Sequence, residues 1–164
     1  MIGKAVFLLG ALAGGAGLSQ FPEFSQQYLQ RLAGQVDALT VVVRDFDASA
    51  QKNGLSREDA LGEMAGNAFL DDRQRDMRRT FLRHARLSDD LVALREATPL
   101  ARILMPQRLG DAETLAATWG DFRPAVPVTV EGAAAAGIGF LGGGMALSGL
   151  LSLLLWPFRR RARG

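Results

Sequence analysis

The stretch Gly132-Ala-Ala-Ala-Ala-Gly-Ile-Gly-Phe-Leu-Gly-Gly-Gly-Met-Ala-Leu-Ser-Gly-Leu-Leu-Ser-Leu-Leu-Leu-Trp-Pro-Phe158 decides the fold, because its 27 residues carry no charge. A helix of about 20 such residues crosses the hydrocarbon core of a bilayer. Thr129 can cap the amino end of this helix. Trp156 and Phe158 lie where the aromatic belt of a membrane interface is expected. The stretch therefore predicts a transmembrane helix over residues 129–158.

A second apolar stretch lies at the amino end, over residues 5–21, and Lys4 precedes it. It is just long enough to cross a bilayer, and we predict a transmembrane helix over residues 1–21. A cleaved secretory signal peptide is the alternative. Signal peptidase recognises a basic start, an apolar core and small residues such as those near Gly17 and Ser19.

Basic residues are distributed unevenly around the two predicted spans. Only Arg31 and Arg123 lie within about fifteen residues of the inner span ends, whereas five basic side chains flank the outer ends. Since cytoplasmic flanks carry the excess of lysine and arginine, we predict that both termini are cytoplasmic. In a Gram-negative bacterium, the chain would then be an inner (plasma) membrane protein with a periplasmic central domain. The predicted topology determinants are Lys4, Arg159, Arg160, Arg161 and Arg163.

Small residues recur at every fourth position in both spans, and this spacing lets membrane helices approach closely. We expect the spans to pack on each other or on copies of themselves. The alternative is that glycine and alanine are simply frequent in membrane helices. The predicted packing residues are Gly10, Gly14, Ala135, Gly139 and Gly143.

Residues 22–128 predict a helical extramembrane domain, and residues 159–164 a basic cytoplasmic tail. Within the domain, apolar residues separated by alternating gaps of three and four form a seam on a long helix over 23–50. Val41 and Val42 are expected to widen this seam toward a bundle face. The seam residues are Leu29, Leu32, Val36, Leu39, Val43 and Phe46.

A second long helix, predicted over residues 69–97, carries another apolar stripe and follows a short helix expected to end near Gly66 and Asn67. Two long helices that each have one apolar side can bury those sides against each other, so we expect them to pack as an antiparallel hairpin. Asp111 is expected to cap a last soluble helix that ends near Trp119. The predicted fold class is all-α, with two transmembrane helices flanking an antiparallel helical hairpin.

We find no combination of residues in the sequence that is typical of a catalytic site. The chain has no cysteine, and its one histidine, His84, falls in an apolar stripe, where a hydrogen-bonded structural role is expected. No HExxH, GxSxG, phosphate-loop or dinucleotide motif occurs. We therefore predict no catalytic, cofactor-binding or metal-binding residue, no enzyme activity and no small-molecule substrate. The basic pI comes from the tails, so nucleic acid is not an expected partner.

A row of arginines is predicted to form a basic stripe along one side of the second long helix. The stripe is a candidate contact for anionic lipid or for an acidic partner surface, and the lipid hypothesis also uses the apolar segment 100–105. The interleaved aspartates fit the alternative of a solvated face. The leading hypothesis is a non-enzymatic membrane protein acting through helix-mediated assembly, either self-associating or as an accessory subunit of an envelope complex. A lipid-contacting protein that shapes or senses the bilayer is the alternative. The basic stripe comprises Arg75, Arg79, Arg83 and Arg86.

Several blocks together resemble the bacterial membrane family catalogued as domain of unknown function 2937, over nearly the whole chain. The resemblance implies a proteobacterial membrane protein, and it brings no activity, substrate or catalytic residue with it. The blocks are Ser19-Gln-Phe-Pro-Glu-Phe24, Gln27-Tyr28, Asp45-Phe-Asp47 and Phe122-Arg-Pro-Ala-Val-Pro127, followed by Thr129, Glu131 and Gly132.

Overall fold

The computed structural model describes the backbone of residues 2–124, 126 and 128–161, and the side chains of residues 3–124, 126 and 128–154. Throughout these residues all regular secondary structure is helical, so the predicted all-α fold class is confirmed. Two short 3₁₀ helices, Ala101–Leu104 and Pro106–Leu109, connect the fourth and fifth α-helices. The α-helices are α1 (Ile2–Ser19), α2 (Phe21–Lys52), α3 (Arg57–Glu63), α4 (Ala68–Glu96), α5 (Ala112–Asp121) and α6 (Val130–Arg161).

The chain divides into two compact units, each built from segments that are separated in the sequence. The first unit comprises residues 1–26, 99–104 and 121–164, and it contains α1 and α6. The second unit comprises residues 27–98 and 105–120, and it contains α3, α4 and most of α2 and α5. The predicted domain boundaries at residues 22 and 129 stay predictions, although α2 and α6 begin within one residue of them.

The first unit contains apolar helices with little burial. Two helical stretches, Gly3–Lys52 and Val130–Leu154, are long and apolar enough to cross a membrane, and α1 forms the apolar part of the first. Only 28% and 11% of their most apolar windows are buried within the protein. A core helix of a soluble protein passes the same length and composition test but is mostly buried. The low burial therefore distinguishes both stretches from such core helices.

The helix starts follow local capping signals in the sequence. The Thr129 hydroxyl accepts a hydrogen bond from the Gly132 N–H at 3.0 Å, and the Asp111 carboxylate accepts one from the Thr114 N–H at 3.1 Å. Asn67 was expected near the end of α3, and this expectation is wrong. Its side chain instead caps the start of α4, because α3 ends earlier, at Glu63.

The second unit is built on α2 and α4 packed in opposite directions. The Phe46 and Phe81 rings meet edge to face at 5.1 Å between centroids, while Thr40, earlier in α2, meets His84, later in α4. That reversed order identifies an antiparallel pair. The apolar residues buried along the two helices are Tyr28, Leu29, Leu32, Val36, Val43, Ala50, Leu87, Leu91 and Leu94.

The seam on α2 is narrower than the sequence predicts. Leu39 and Phe46 are half-buried, whereas Val41 and Val42 remain 45% and 43% exposed. The expectation that these valines widen the seam is therefore wrong. One stripe of α2 is enough to face α4, and residues beside that stripe stay on the surface.

Leu87 and Leu82 offer a matched test of the core, because both lie on α4 and are 0% and 72% exposed. Leu87→Ala leaves a cavity in the second unit, and we expect it to lower the free energy of unfolding by about 2–5 kcal/mol. Leu82→Ala removes the same atoms from the surface and should change that energy by less than about 0.5 kcal/mol. Urea unfolding of the full chain in detergent, followed by circular dichroism, measures both. Equal effects would contradict a core position for Leu87.

Candidate functional site: a glycine contact and a buried aspartate

The helices α1 and α6 touch through their backbones at four glycines. A Cβ placed on Gly14 would overlap the carbonyl oxygen of Gly139, and a Cβ placed on Gly10 would overlap that of Gly143. The same added atom on Gly14 would also lie only 3.0 Å from the Cα of Gly143. We call these four residues the glycine contact. Any larger side chain there must push the two helices apart.

The glycine contact is extended by neighbouring small and aromatic residues. Ala11 and Ala135 have no exposed surface, and the Phe7 ring fills the space beside Gly144. Phe7 also meets Phe140 edge to face, with 6.4 Å between ring centroids. Because lipid chains are as apolar as leucine, close van der Waals contact of this kind is what holds helices together in a membrane.

Apolar side chains cover the outward sides of both helices. The exposed fractions of Leu9 and Met145 are 65% and 68%, which water would not favour for residues of this size. The predicted packing residues thus lie between α1 and α6, and large apolar residues surround them. Among the described side chains of the two helices, the exposed large apolar residues are Leu8, Leu9, Leu12, Val130, Ile138, Phe140, Leu141, Met145, Leu147, Leu150, Leu153 and Leu154.

A cavity of about 350 Å³ lies in the first unit where α1 ends and α6 begins. Its wall is largely apolar, and Glu23 and Glu131 add two carboxylates. Arg102 donates a hydrogen bond to Gln26, one of the lining residues, and burial lowers the pKa of this guanidinium. Most lining residues belong to the blocks that carry the family resemblance. The cavity is lined by Ser19, Gln20, Pro22, Glu23, Gln26, Pro99, Val126, Val128, Thr129, Glu131 and Gly132.

The second unit contains a buried carboxylate, Asp111, which is 7% exposed. Arg83 and Arg86 each donate a hydrogen bond to it, at 3.2 and 3.1 Å. The Asp111 N–H donates to the hydroxyl of Tyr28 at 3.3 Å, so the group joins α2, α4 and α5. We call the set the Asp111 cluster. Its members are Tyr28, Gln35, Arg83, Arg86, Asp111 and Thr114.

The environment of Asp111 keeps it ionised. Burial alone would raise the pKa of its carboxyl group, but the hydrogen bonds from Thr114 and the charge of Arg83 outweigh burial and hold that pKa below its usual value. Burial likewise raises the pKa of the Tyr28 hydroxyl. The Asp111 cluster thus connects α2, α4 and α5 through hydrogen bonds and ion pairs to one charged carboxylate residue.

The basic stripe is largely occupied by ion pairs. Arg75 pairs with Asp72 and Arg79 with Asp76, both within α4. Arg83 reaches Glu113 at 2.7 Å in addition to Asp111. The sequence reasoning identified Asp111 only as a helix cap, because nothing in the spacing of the arginines indicates a partner 25 to 28 residues away.

The remaining predicted residues have simpler surroundings. His84 Nε2 lies 2.9 Å from the hydroxyl of Thr40, a structural hydrogen bond. Within the described part of the chain, no group of three histidine, aspartate or glutamate residues could hold a metal ion. Lys4 is exposed on α1. The side chains of residues 159–161 and the whole of Arg163 lie outside the described residues.

The sequence matches the profile of the family described as "Protein of unknown function (DUF2937)" over residues 1–160. No curated protein and no solved structure matches the chain. The match agrees with the resemblance found from the sequence blocks.

The glycine contact predicts a large difference between neighbouring glycines of α1. Gly14→Ala places a methyl group against the Gly139 carbonyl and should destabilise the helix pair by about 1–3 kcal/mol. Gly17→Ala is the control, because no atom lies within 4 Å of an added Cβ there, and alanine favours helix by up to about 1 kcal/mol. Unfolding of the full chain by SDS titration from a mild detergent measures both variants. Similar stabilities would contradict the contact.

The Asp111 cluster predicts a loss of stability when its charge is removed. Asp111→Asn leaves two arginines facing an amide, and we expect a loss of about 1–3 kcal/mol, limited by the solvent exposure of Arg86. Asp76→Asn, which breaks surface ion pairs with Arg73 and Arg79, should cost less than about 1 kcal/mol. Urea unfolding of each variant tests this.

The same carboxylate predicts the acid dependence. Because the pKa of Asp111 is lower in the folded chain, its contribution is complete above the unfolded value of about 3.9 and is lost as the pH falls toward the folded value. The gap in stability between the parent chain and Asp111→Asn should therefore shrink below about pH 4. A gap that grows on acidification would contradict this assignment.

Proposed function

We propose that this chain, which belongs to the DUF2937 family of unknown function, is a bacterial inner-membrane protein that acts through helix-mediated assembly and catalyses no reaction. It assembles either with copies of itself or as an accessory subunit of a larger envelope complex. The glycine contact carries this proposal. It joins α1 and α6 at backbone distance and leaves large apolar side chains on the outside of the pair.

The glycine contact also indicates which surface is available for assembly. Gly10, Gly14, Gly139 and Gly143 are occupied within one chain, so another chain must be met through other residues. On α6, an added Cβ on Gly142 or Gly149 would find no atom within 4 Å. These open glycines lie among exposed leucines, where a further membrane helix can approach closely.

The proposed lack of catalysis is supported by the hydrogen bonds that His84 and Asp111 make. His84 bonds Thr40, and Asp111 is held by Arg83 and Arg86. Each of these groups is engaged in joining helices. Charged groups engaged in this way stabilise a fold.

The proposed topology follows the distribution of basic residues. Lys4 and the arginines at 159–163 flank the outer ends of the spans, which favours a cytoplasmic location for both termini and a periplasmic location for the central residues. Retention of the first span is favoured by the glycine contact, since cleavage after Ser19 would remove half of it.

A lipid-contacting role is the alternative. It is favoured by Leu104, which is 82% exposed on a 3₁₀ helix of the same unit as α1 and α6. The basic stripe favours it less, because Arg75, Arg79 and Arg83 are paired with carboxylates. Membrane lipid would then be the principal partner in place of a protein.

Site-directed crosslinking in native membranes tests assembly, since the chain has no cysteine of its own. Gly142→Cys and Gly149→Cys place thiols on the open side of α6. A maleimide–benzophenone reagent, which reacts with the thiol and on illumination with a C–H bond of any adjacent protein, should convert each into one discrete adduct. Ala135→Cys is the matched control, because this residue is buried and should give no adduct. An adduct of twice 17.6 kDa indicates self-association, and another mass indicates a different subunit. No adduct from any open position would contradict assembly and favour the lipid-contacting alternative.

A further inference from the structure

The helix α5 buries polar side chains and exposes apolar ones, which is the reverse of an ordinary amphipathic helix. Thr114 and Thr118 are 0% and 1% exposed, so its polar side faces the interior of the second unit. Four of its five apolar residues occur at positions i, i+3, i+4 and i+7, the spacing of one helix face, and all four are exposed, whereas Ala117 is half-buried. We call this set the outer stripe, and it consists of Ala112, Leu115, Ala116 and Trp119.

Polar contacts fix this reversed orientation. The Thr114 hydroxyl lies 2.8 Å from both the Gln35 amide oxygen and the Asp111 carboxylate. The Thr118 hydroxyl donates to the Thr114 carbonyl at 2.7 Å. The Thr118 bond lies within α5, so it does not oppose rotation of the helix. Rotating α5 to bury its apolar side would break the bond between Thr114 and Gln35 and would move the buried Asp111 away from its arginines, which is costly. The outer stripe therefore stays outward as long as the Asp111 cluster is intact.

We infer that the outer stripe docks on the surface of the bilayer that α6 crosses, an inference that rests on the proposed membrane location. Residues 122–129 link α5 to α6, and eight residues extend at most about 3.5 Å each. The span therefore tethers α5 near the membrane surface. A short tether raises the effective concentration at that surface, so even a small apolar patch can dock there.

The composition and size of the outer stripe favour lipid over a protein partner. Trp119 is 73% exposed, and tryptophan prefers the membrane interface, where its ring is buried and its N–H stays hydrated. A stable protein interface buries about 800 Å² on each partner, far more than one leucine, one tryptophan and two alanines provide. The acidic Glu113 on α5 is paired with Arg83, which reduces repulsion from anionic headgroups.

Fluorescence of Trp119 in the full chain tests this inference. Trp156→Phe makes Trp119 the only tryptophan, and this variant is reconstituted into phosphatidylethanolamine–phosphatidylglycerol vesicles. We expect its emission to shift to shorter wavelength and to be quenched by lipids brominated near the headgroup. Adding Leu115→Glu should remove the quenching, because it places a charge in the outer stripe. Adding Leu82→Glu, on an exposed site of α4, should leave the quenching unchanged.

The outcomes separate this inference from the proposed function. If the protein does not float with vesicles after an alkaline wash, its membrane insertion fails, and both proposals fail with it. If it floats but Trp119 keeps a solvent-like emission, only the docking of α5 is overturned. If Trp119 is shielded from aqueous acrylamide yet not reached by the brominated lipid, a protein surface covers the outer stripe, and this also overturns docking on lipid.

Discussion

Direct backbone contact between α1 and α6 is the constraint on which the first unit depends. At the glycine contact there is no room for a Cβ, so the separation of the helices is set by main-chain atoms. Most of the described leucines of both helices consequently lie on the outside, where 58% of Leu12 and 60% of Leu141 are exposed. An apolar surface of that extent fits the proposed membrane location, in which lipid chains would cover the side chains that the protein itself leaves exposed.

Polar contacts play the corresponding role in the second unit. The Asp111 carboxylate is buried, and a buried charge is tolerated only with hydrogen-bonded partners. The carboxylate accepts hydrogen bonds from Arg83 and Arg86 of α4, and the Asp111 N–H donates one to Tyr28 of α2, so this one residue fixes the start of α5 against both helices. The orientation of α5 follows from that bond set. Its threonines face inward and its tryptophan faces outward, because the interior beside Asp111 is polar.

Local signals predicted most of the helices, and tertiary contacts decided what they could not. The periodicity of α2 and α4 and the caps at Asp111 and Thr129 depend on residues a few positions apart, which a sequence displays directly. Glycine spacing indicated close packing but not whether the partner was another helix of the same chain. The ion pair between Arg83 and Asp111 could not be predicted, because the two residues lie 28 positions apart and no local sequence pattern connects them. The expected width of the α2 seam was wrong because α4 covers only one stripe of that helix.

An engineered disulfide between α1 and α6 tests the central contact most directly. A Cβ at Gly15 would lie 3.5 Å from the Phe140 Cβ, within the span of about 3.5–4.5 Å that a disulfide requires. Introduced into the cysteine-free chain, Gly15→Cys with Phe140→Cys should form an intramolecular disulfide in native membranes when copper phenanthroline is added as the oxidant. Mass spectrometry of the digested protein detects this bond. Gly17→Cys with Ile138→Cys, both on exposed sides, should form none. No bond, bonds only between copies, or a mature chain lacking residues 1–19 would contradict the account.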